Sequence, residues 1–200
     1  MIEELHVNEE AKILTLAQRL KLDTTTTHDS LDKMIMTKRP FTDLGRYALF
    51  LAVQYRFHLA IAPLYCDPKL LCLFTDLPER ARLSYLKKDY LDLNADINDM
   101  KAENNLPNID YPASLGWLYV SEGSNLGAEY LLKAAKRIGL SEEFGATHLA
   151  PAAIGRGQSW KVFTTALNAI ELTYEQQSLV IDGARDAFSL VRSTVDSVFE

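Results

Sequence analysis

WLYVSEGSNLGAEYLLKAAKRIG, residues 117–139, reads as helix on both sides of a glycine pair. Gly123 and Gly127 lie four apart, on one helical face, and each costs about 1 kcal/mol relative to Ala in a helix interior. Two mid-helix glycines need a reason. One is close approach of a second helix through a small-xxx-small face. The other is a flat ligand lying against bare backbone, with a bend in the helix. The pattern alone leaves both open. Pro112 opens the segment, which is expected to run from Ala113 to Ile138 with Gly116 also inside it, and Gly139 is its stop.

Outward from this stretch, helical periodicity runs almost everywhere and strand-like alternation is sparse. A first helix is expected from about Glu9 to Met36, carrying Ile13, Leu16, Leu20, Leu31 and Ile35 on 3- and 4-residue steps. The Thr24–Thr27 run weakens it by a few tenths of a kcal/mol per residue. Pro40 closes it, and Thr42 or Asp43 caps a second, largely apolar helix from about Leu44 to Ala62. A short helix around Lys69–Phe74 follows. Pro78 sits at a first helical position before ERARLSYLKKDYLDL. Asn104–Pro112 reads as a loop. A helix from about Ser159 to Glu171 comes after a Gly155/Gly157 connector. Thr173 and Gln176 form a capping-box pair for a last helix reaching Val198. Nothing repeats and no linker divides the chain. The expectation is an all-α, single-domain protein over residues 1–200 with about seven helices.

Composition narrows the function. Nine glycines and seven prolines in 200 residues are few, which suits helices, and 48% hydrophobic with 24% charged is ordinary globular usage. A domain of this size buries roughly 70% of its unfolded surface, enough to enclose a sizeable ligand without disulfides. A net charge of −6 argues against nucleic acid and against an anionic membrane surface. The longest apolar run, Tyr47–Val53, is far short of the ~20 residues of a membrane span. The acidic start MIEELHVNEE has no apolar signal core, and Cys66 and Cys72 are too few for a disulfide framework. A cytoplasmic protein that is not membrane-bound is expected.

No phosphate-binding loop, dinucleotide fingerprint, HExxH or CxxCH occurs. Only Glu3-Glu4-Leu5-His6 resembles half of a di-iron site. Metal chemistry therefore falls to the histidines. His6 lies at a terminus. His148 reads as a solvated loop residue beside Pro151. His58, four after Gln54 in the apolar helix, reads as a satisfied core residue or one supporting a site. His28 lies mid-helix with Asp32 four residues on, and by itself fits a partly exposed helix position as well as a metal ligand.

Two strings together carry a resemblance. LKLDTTTTHDSLD (Leu20–Asp32) and YVSEGSNLGAE (Tyr119–Glu129) resemble the haem oxygenases, specifically their soluble bacterial branch, and the likeness extends over nearly the whole chain. The resemblance implies an all-α fold that sandwiches haem b, cofactor and substrate at once, between a proximal and a distal helix. His28 would then be the proximal ligand to iron, and Gly123, Ser124 and Gly127 would form the distal catalytic face. The implied reaction takes haem and O₂ to biliverdin, ferrous iron and CO. A neutral imidazole leaves the iron's other axial position to O₂, and a distal wall of backbone and small residues offers no acid to cleave it prematurely. Two departures stand out. Ser124 replaces an Asp that many relatives use to anchor water, which turns attention to Gln54, His58 and Trp160. Asp32 replaces a Glu beside the proximal histidine.

Lys21, two turns before His28, and Tyr119, one turn before Gly123, match positions that hold the haem propionates in the bacterial branch, which implies the α isomer of biliverdin. Branch members with other products have Asn and Phe there. Lys133 lies one position off their alternative anchor. No flavin or nicotinamide motif is present, so electrons would come from a separate ferredoxin or reductase. A monomer is expected. The alternative is a non-catalytic haem carrier or sensor of the same fold.

Overall fold

Thr15 accepts a hydrogen bond from the Gln18 N–H (3.3 Å) while the Gln18 side chain accepts one from the Thr15 N–H (2.9 Å). This capping box starts α1 at Leu16 (Leu16–Thr37) rather than near Glu9. The computed structural model describes residues 14–95 and 106–200, so Glu9, His6, Ile13 and the start of the expected 104–112 loop lie outside the described residues. The threonine run stays helical because Thr24 and Thr25 donate their hydroxyls to the carbonyls of Leu20 and Lys21.

Asp43 caps α2 (Leu44–Ile61) by accepting from the Arg46 N–H at 2.8 Å. A 3₁₀ turn (Ala62–Cys66) and α3 (Pro68–Leu73) follow. The single helix expected after Pro78 is two: α4 (Leu77–Arg80) and α5 (Leu83–Asp92), separated by an extended Ala81. The break has a physical reason. Arg80 and Arg82 are both buried, and residues two apart on one continuous helix point to nearly opposite sides. α6 spans Ala113–Lys136, and Gly139 ends the segment with φ +89°. α7 runs Arg156–Asn168, three residues earlier than expected at both ends. Gly155 (φ +82°) launches it and the Asn168 side chain accepts from the Ala17 N–H at 2.9 Å. α8 (Tyr174–Val198) begins at the expected Thr173/Gln176 box. The result is all-α. Among the described residues there are seven helices of six or more residues, the single turn α4, and no strand.

α8 is the common floor, since α1, α2 and α6 all pack against it. α2 with the turn after it, Leu44–Cys66, is long and apolar enough to cross a membrane by length and composition, yet most of it is buried inside the fold. The tightest contact joins α6 to α8. A Cβ added to Gly116 would lie 2.0 Å from the Val180 carbonyl oxygen, and one added to Gly183 would lie 2.2 Å from that of Ala113. Backbone meets backbone there, so neither side can yield. Gly116→Ala is therefore expected to destabilise the protein by about 2–3 kcal/mol, the scale of core overpacking, despite the helix propensity gained. Urea unfolding of the variant against wild type measures this; an unchanged midpoint would contradict the contact.

Candidate functional site

The core-facing stripe of α1 descends through Leu16, Leu20 and Thr24, all buried. The next position at the same spacing is His28, whose side chain is 57% exposed. Leu31, one turn further on, is buried again, so His28 stands exposed at the edge of a covered face. The imidazole meets the edge of Phe188 from α8 (6.2 Å between ring centres, 85° between planes). Its Nδ1 faces Asp29 Oδ1 at 3.4 Å and Asp32 Oδ2 at 3.6 Å. Two carboxylates on Nδ1 favour the tautomer that bears its proton there and leave Nε2 as the metal-binding nitrogen. Asp32 thus reaches the imidazole despite being shorter than Glu. Asp29 joins it, a partner the sequence reading did not single out. Partial burial pushes the Asp32 carboxyl up, and His28 pulls against that.

α6 shows the same change of cover. Ser114 to Glu122 are buried, whereas Ser124, Leu126, Gly127 and Tyr130 are exposed. Gly116, Gly123 and Gly127 lie within about 20° of one line along the helix. Clearance grows along that line. A Cβ meets backbone at 2.0 Å at Gly116, meets the Trp160 ring at 3.7 Å at Gly123, and meets nothing within 4 Å at Gly127. Helix-on-helix packing therefore explains Gly116 and fails to explain Gly127. α1 and α6 both rest on α7 and α8 without packing closely on each other.

The hydroxyl of Ser124 and the backbone carbonyl of Asn125 are both bonded within the fold. Ser124 Oγ donates to the Ser121 carbonyl at 2.7 Å, and Arg156 donates to the Asn125 carbonyl at 2.9 Å. Behind Gly123 lies a buried network that sequence reasoning missed, although Glu122 stood in the quoted string. Arg80 donates to Glu122 Oε2 (2.8 Å), to Ser159 Oγ (3.1 Å) and carbonyl (3.2 Å), and to Asp76 (2.7 Å). Tyr65 donates to Glu122 Oε1 at 3.2 Å and shares a 2.8 Å hydrogen bond with Ser121 Oγ. Burial pushes the Glu122 carboxyl up, and the Arg80 guanidinium opposes it. Beside the network is a water-sized space of about 10 Å³ bounded by Arg82, Glu122, Arg156 and Trp160.

The remaining predicted residues are spread around this centre. Trp160 lies against Gly123 and Tyr119 (5.3 Å between rings). Tyr119 is buried, which pushes its phenol up, while Lys21 is exposed. No hydrogen bond joins those two among the described residues. Gln54 is half-buried on α2. His58 is buried, and its Nδ1 has no partner among the described residues. His148 corrects the sequence reading outright. It is buried in a 3₁₀ turn (Thr147–Leu149), and its Nδ1 lies 2.7 Å from Asp89, which also accepts from the Thr147 and His148 N–H groups. The loop is held inward by that carboxylate. Lys133 is tied to Glu129 at 2.6 Å. A larger open cleft, about 340 Å³, includes Asp110, Trp117 and Asp186 but neither His28 nor the paired glycines.

An uncommitted imidazole nitrogen on one helix and a side-chain-free face on another suit a flat, largely apolar group with a central metal. The residues present fit haem. A model of the haem oxygenase family matches residues 14–197. The chain is 38% identical over 183 residues to haem oxygenase PigA of Pseudomonas aeruginosa, covering 92% of each. It is 40% identical to the haem oxygenase of Neisseria meningitidis, solved with NO and CO bound, with a TM-score of 0.90 over 94% of this chain and 93% of that one. Haem oxygenase-1 of the cyanobacterium Synechocystis, solved with haem, shares the fold at a TM-score of 0.77 and 14% identity, over 92% of both chains.

The buried histidines make a prediction for pH. Burial lowers the pKa of His58 to about 3, and burial lowers that of His148 against the pull of Asp89. His58 is neutral in the fold across this range, whereas in the unfolded chain it protonates near 6.5. Its contribution is complete above pH 6.5 and is lost as pH falls toward the folded value. His58 alone should cost about 1.5 kcal/mol of unfolding free energy between pH 6.5 and 5. Urea titrations across that range, with His58→Leu removing its share of the slope, check it; a flat profile would contradict neutral burial.

Proposed function

The chain belongs to the haem oxygenase family, and we propose that it cleaves haem b to α-biliverdin, ferrous iron and CO as one domain over residues 1–200. The observation that carries this reading is the pairing of His28, with both carboxylates on Nδ1, and the open backbone of α6 at Gly127. When bound, haem supplies the iron that takes up O₂ and the ring that is oxidised.

The chain's own groups have separate tasks in this proposal. His28 Nε2 holds the iron, and Asp32 and Asp29 fix its tautomer. Gly123 and Gly127 admit the ring and its gas ligand against bare helix. Ser124 presents its small side chain with its proton committed to a backbone carbonyl, so no acid group stands on that face. Trp160, with Gln54 and His58 deeper in the fold, borders and orients distal water. Lys21 and Tyr119 hold the propionates. Electrons come from a ferredoxin or reductase, and the protein works as a cytoplasmic monomer. The direct test is to add haem, then reductant and air. Loss of the Soret band with rising biliverdin absorption supports oxygenase activity, whereas stable bound haem identifies a carrier or sensor.

His28→Ala is expected to lose the imidazole-ligated haem spectrum and turnover together, while apolar contact still retains some haem. A variant with the wild-type spectrum and rate, without added imidazole, would remove His28 from the iron.

The isomer tests the anchors. Each charge-assisted propionate contact is worth roughly 1.5–3 kcal/mol, and the exposed Lys133–Glu129 pair is too weak to remove Lys133 as a rival anchor. The wild-type product should be α-biliverdin, and Lys21→Asn with Tyr119→Phe should release measurable other isomers on chromatography. A mainly β or δ product from wild type, or a pure α product from the double variant, would overturn the assignment.

A further inference from the structure

The residues that immediately precede Gly123 and Trp160 are held by one guanidinium. Arg80 reaches Glu122 with Nη1, and reaches Ser159 at both its hydroxyl (Nη1) and its carbonyl (Nη2). Its second anchor, Asp76, lies on its own turn of chain. Arg80 and Glu122 side chains are 5% and 4% exposed, so the pair is shielded from solvent. Tyr65 and Ser121 hold the other side of Glu122. Outside its own helix, and among the described residues, Trp160 is the one group within 4 Å of the position a Cβ would take at Gly123. The ring stack continues inward, with Phe163 5.9 Å from Trp160 and the Arg80 guanidinium 5.8 Å from Phe163.

We infer that Arg80, paired with Glu122, is a positioning residue that sets the spacing between Gly123 and Trp160 and so shapes the distal wall against which haem and its gas ligand lie. Arg80 bonds to Glu122 and Ser159, one residue back from each wall component, and to Asp76. It acts by fixing α6 and α7 relative to each other one residue before each wall component. A buried ion pair adds little net stability compared with well-packed apolar residues, because desolvation offsets the attraction. Its value here is directional: bonds to Glu122 and Ser159 define where two helices stand, which apolar packing leaves looser. The inference rests on the haem oxygenase reading for its consequence, but the geometry itself is testable in the haem-free protein.

The test uses the full chain and two kinds of variant. Arg80→Met/Glu122→Leu replaces the buried pair with apolar groups of similar bulk and leaves Asp76, 43% exposed, to solvent. Glu122→Gln keeps the shape and weakens the pull on Arg80. In haem-free protein, the ¹H–¹⁵N resonance of the Trp160 indole, assigned with Trp160→Phe, reads the wall directly. In haem-loaded protein, the C–O stretch of the ferrous CO complex reads it again, beside kcat and KM. The double variant is expected to unfold at a temperature near that of wild type, with a shifted Trp160 resonance, a broadened or displaced C–O stretch, and kcat lower by about 10- to 100-fold at little-changed KM. Glu122→Gln should show smaller shifts in the same direction. Restoring the pair as Arg80→Lys/Glu122 should recover part of the change. Wild-type resonance, C–O stretch and kcat in either folded variant would overturn the inference. If the double variant fails to fold, Glu122→Gln decides alone on the same readouts. A wild-type protein that binds haem without turning it over would count against the oxygenase reading, while the Trp160 resonance would still judge the positioning role.

Discussion

The contact between the α6 and α8 backbones at Gly116 and Gly183 is the constraint from which the rest of the site follows. Neither chain has a side chain at the crossing, so the two carbonyl-bearing backbones fix their own separation. This locks one end of the glycine line of α6 to the floor. Two turns further along, the same line has lifted to Trp160, and one turn beyond that it faces open space. Five residues along α8 from Gly183, Phe188 meets the edge of His28. One helix therefore supports both walls. It packs on α6 at Gly116 and meets His28 of α1 through Phe188, and clearance along the glycine line of α6 grows away from the tight crossing.

The charged interior solves the second problem, which is to hold the glycine stretch of α6 without covering its open face. Apolar packing on the exposed face would block a ligand. The stretch is held from behind, through Glu122 to Arg80 and through the Asn125 carbonyl to Arg156, and beyond it Ala128, Leu132 and Ala135 pack with Tyr47 and Phe50. The break between α4 and α5 serves this arrangement, since it lets Arg80 and Arg82 both turn inward. Asp89 does similar work for the loop at His148, collecting two backbone N–H groups and the imidazole on one carboxylate. Such groups are costly to bury singly and tolerable only when bonded to one another.

Legibility in the sequence followed the range of the interactions. Helices closed by local chemistry, such as the Thr173/Gln176 box, the Asp43 cap and the Gly139 stop, were readable because their signals lie within four residues. So was the oddity of Gly123 and Gly127, although choosing between its two explanations needed the clearance on each face. The start of α1 was misplaced because periodic residues before Leu16 masked the Thr15/Gln18 box. His148 was misread because its partner is 59 positions away. Arg80 and Glu122 are 42 apart and carry no pattern of their own, since an isolated Arg or Glu is ordinarily a surface residue.

The distal stretch is rich in polar residues, yet Ser121 and Glu122 are buried and the exposed Ser124 turns its hydroxyl onto the backbone. Ser121 is bonded to Tyr65, Glu122 to Arg80 and Ser124 to the carbonyl of Ser121, while the Asn125 carbonyl is bonded to Arg156. Each bond removes a donor, or occupies an acceptor, before a ligand arrives. What remains on the open face is glycine backbone whose amides are already spent within the helix. A ligand held there would meet steric direction and little acidity, and that shape depends on where Trp160 and Gly123 stand. The polar residues of this stretch therefore govern the open face through the positions they hold from behind it.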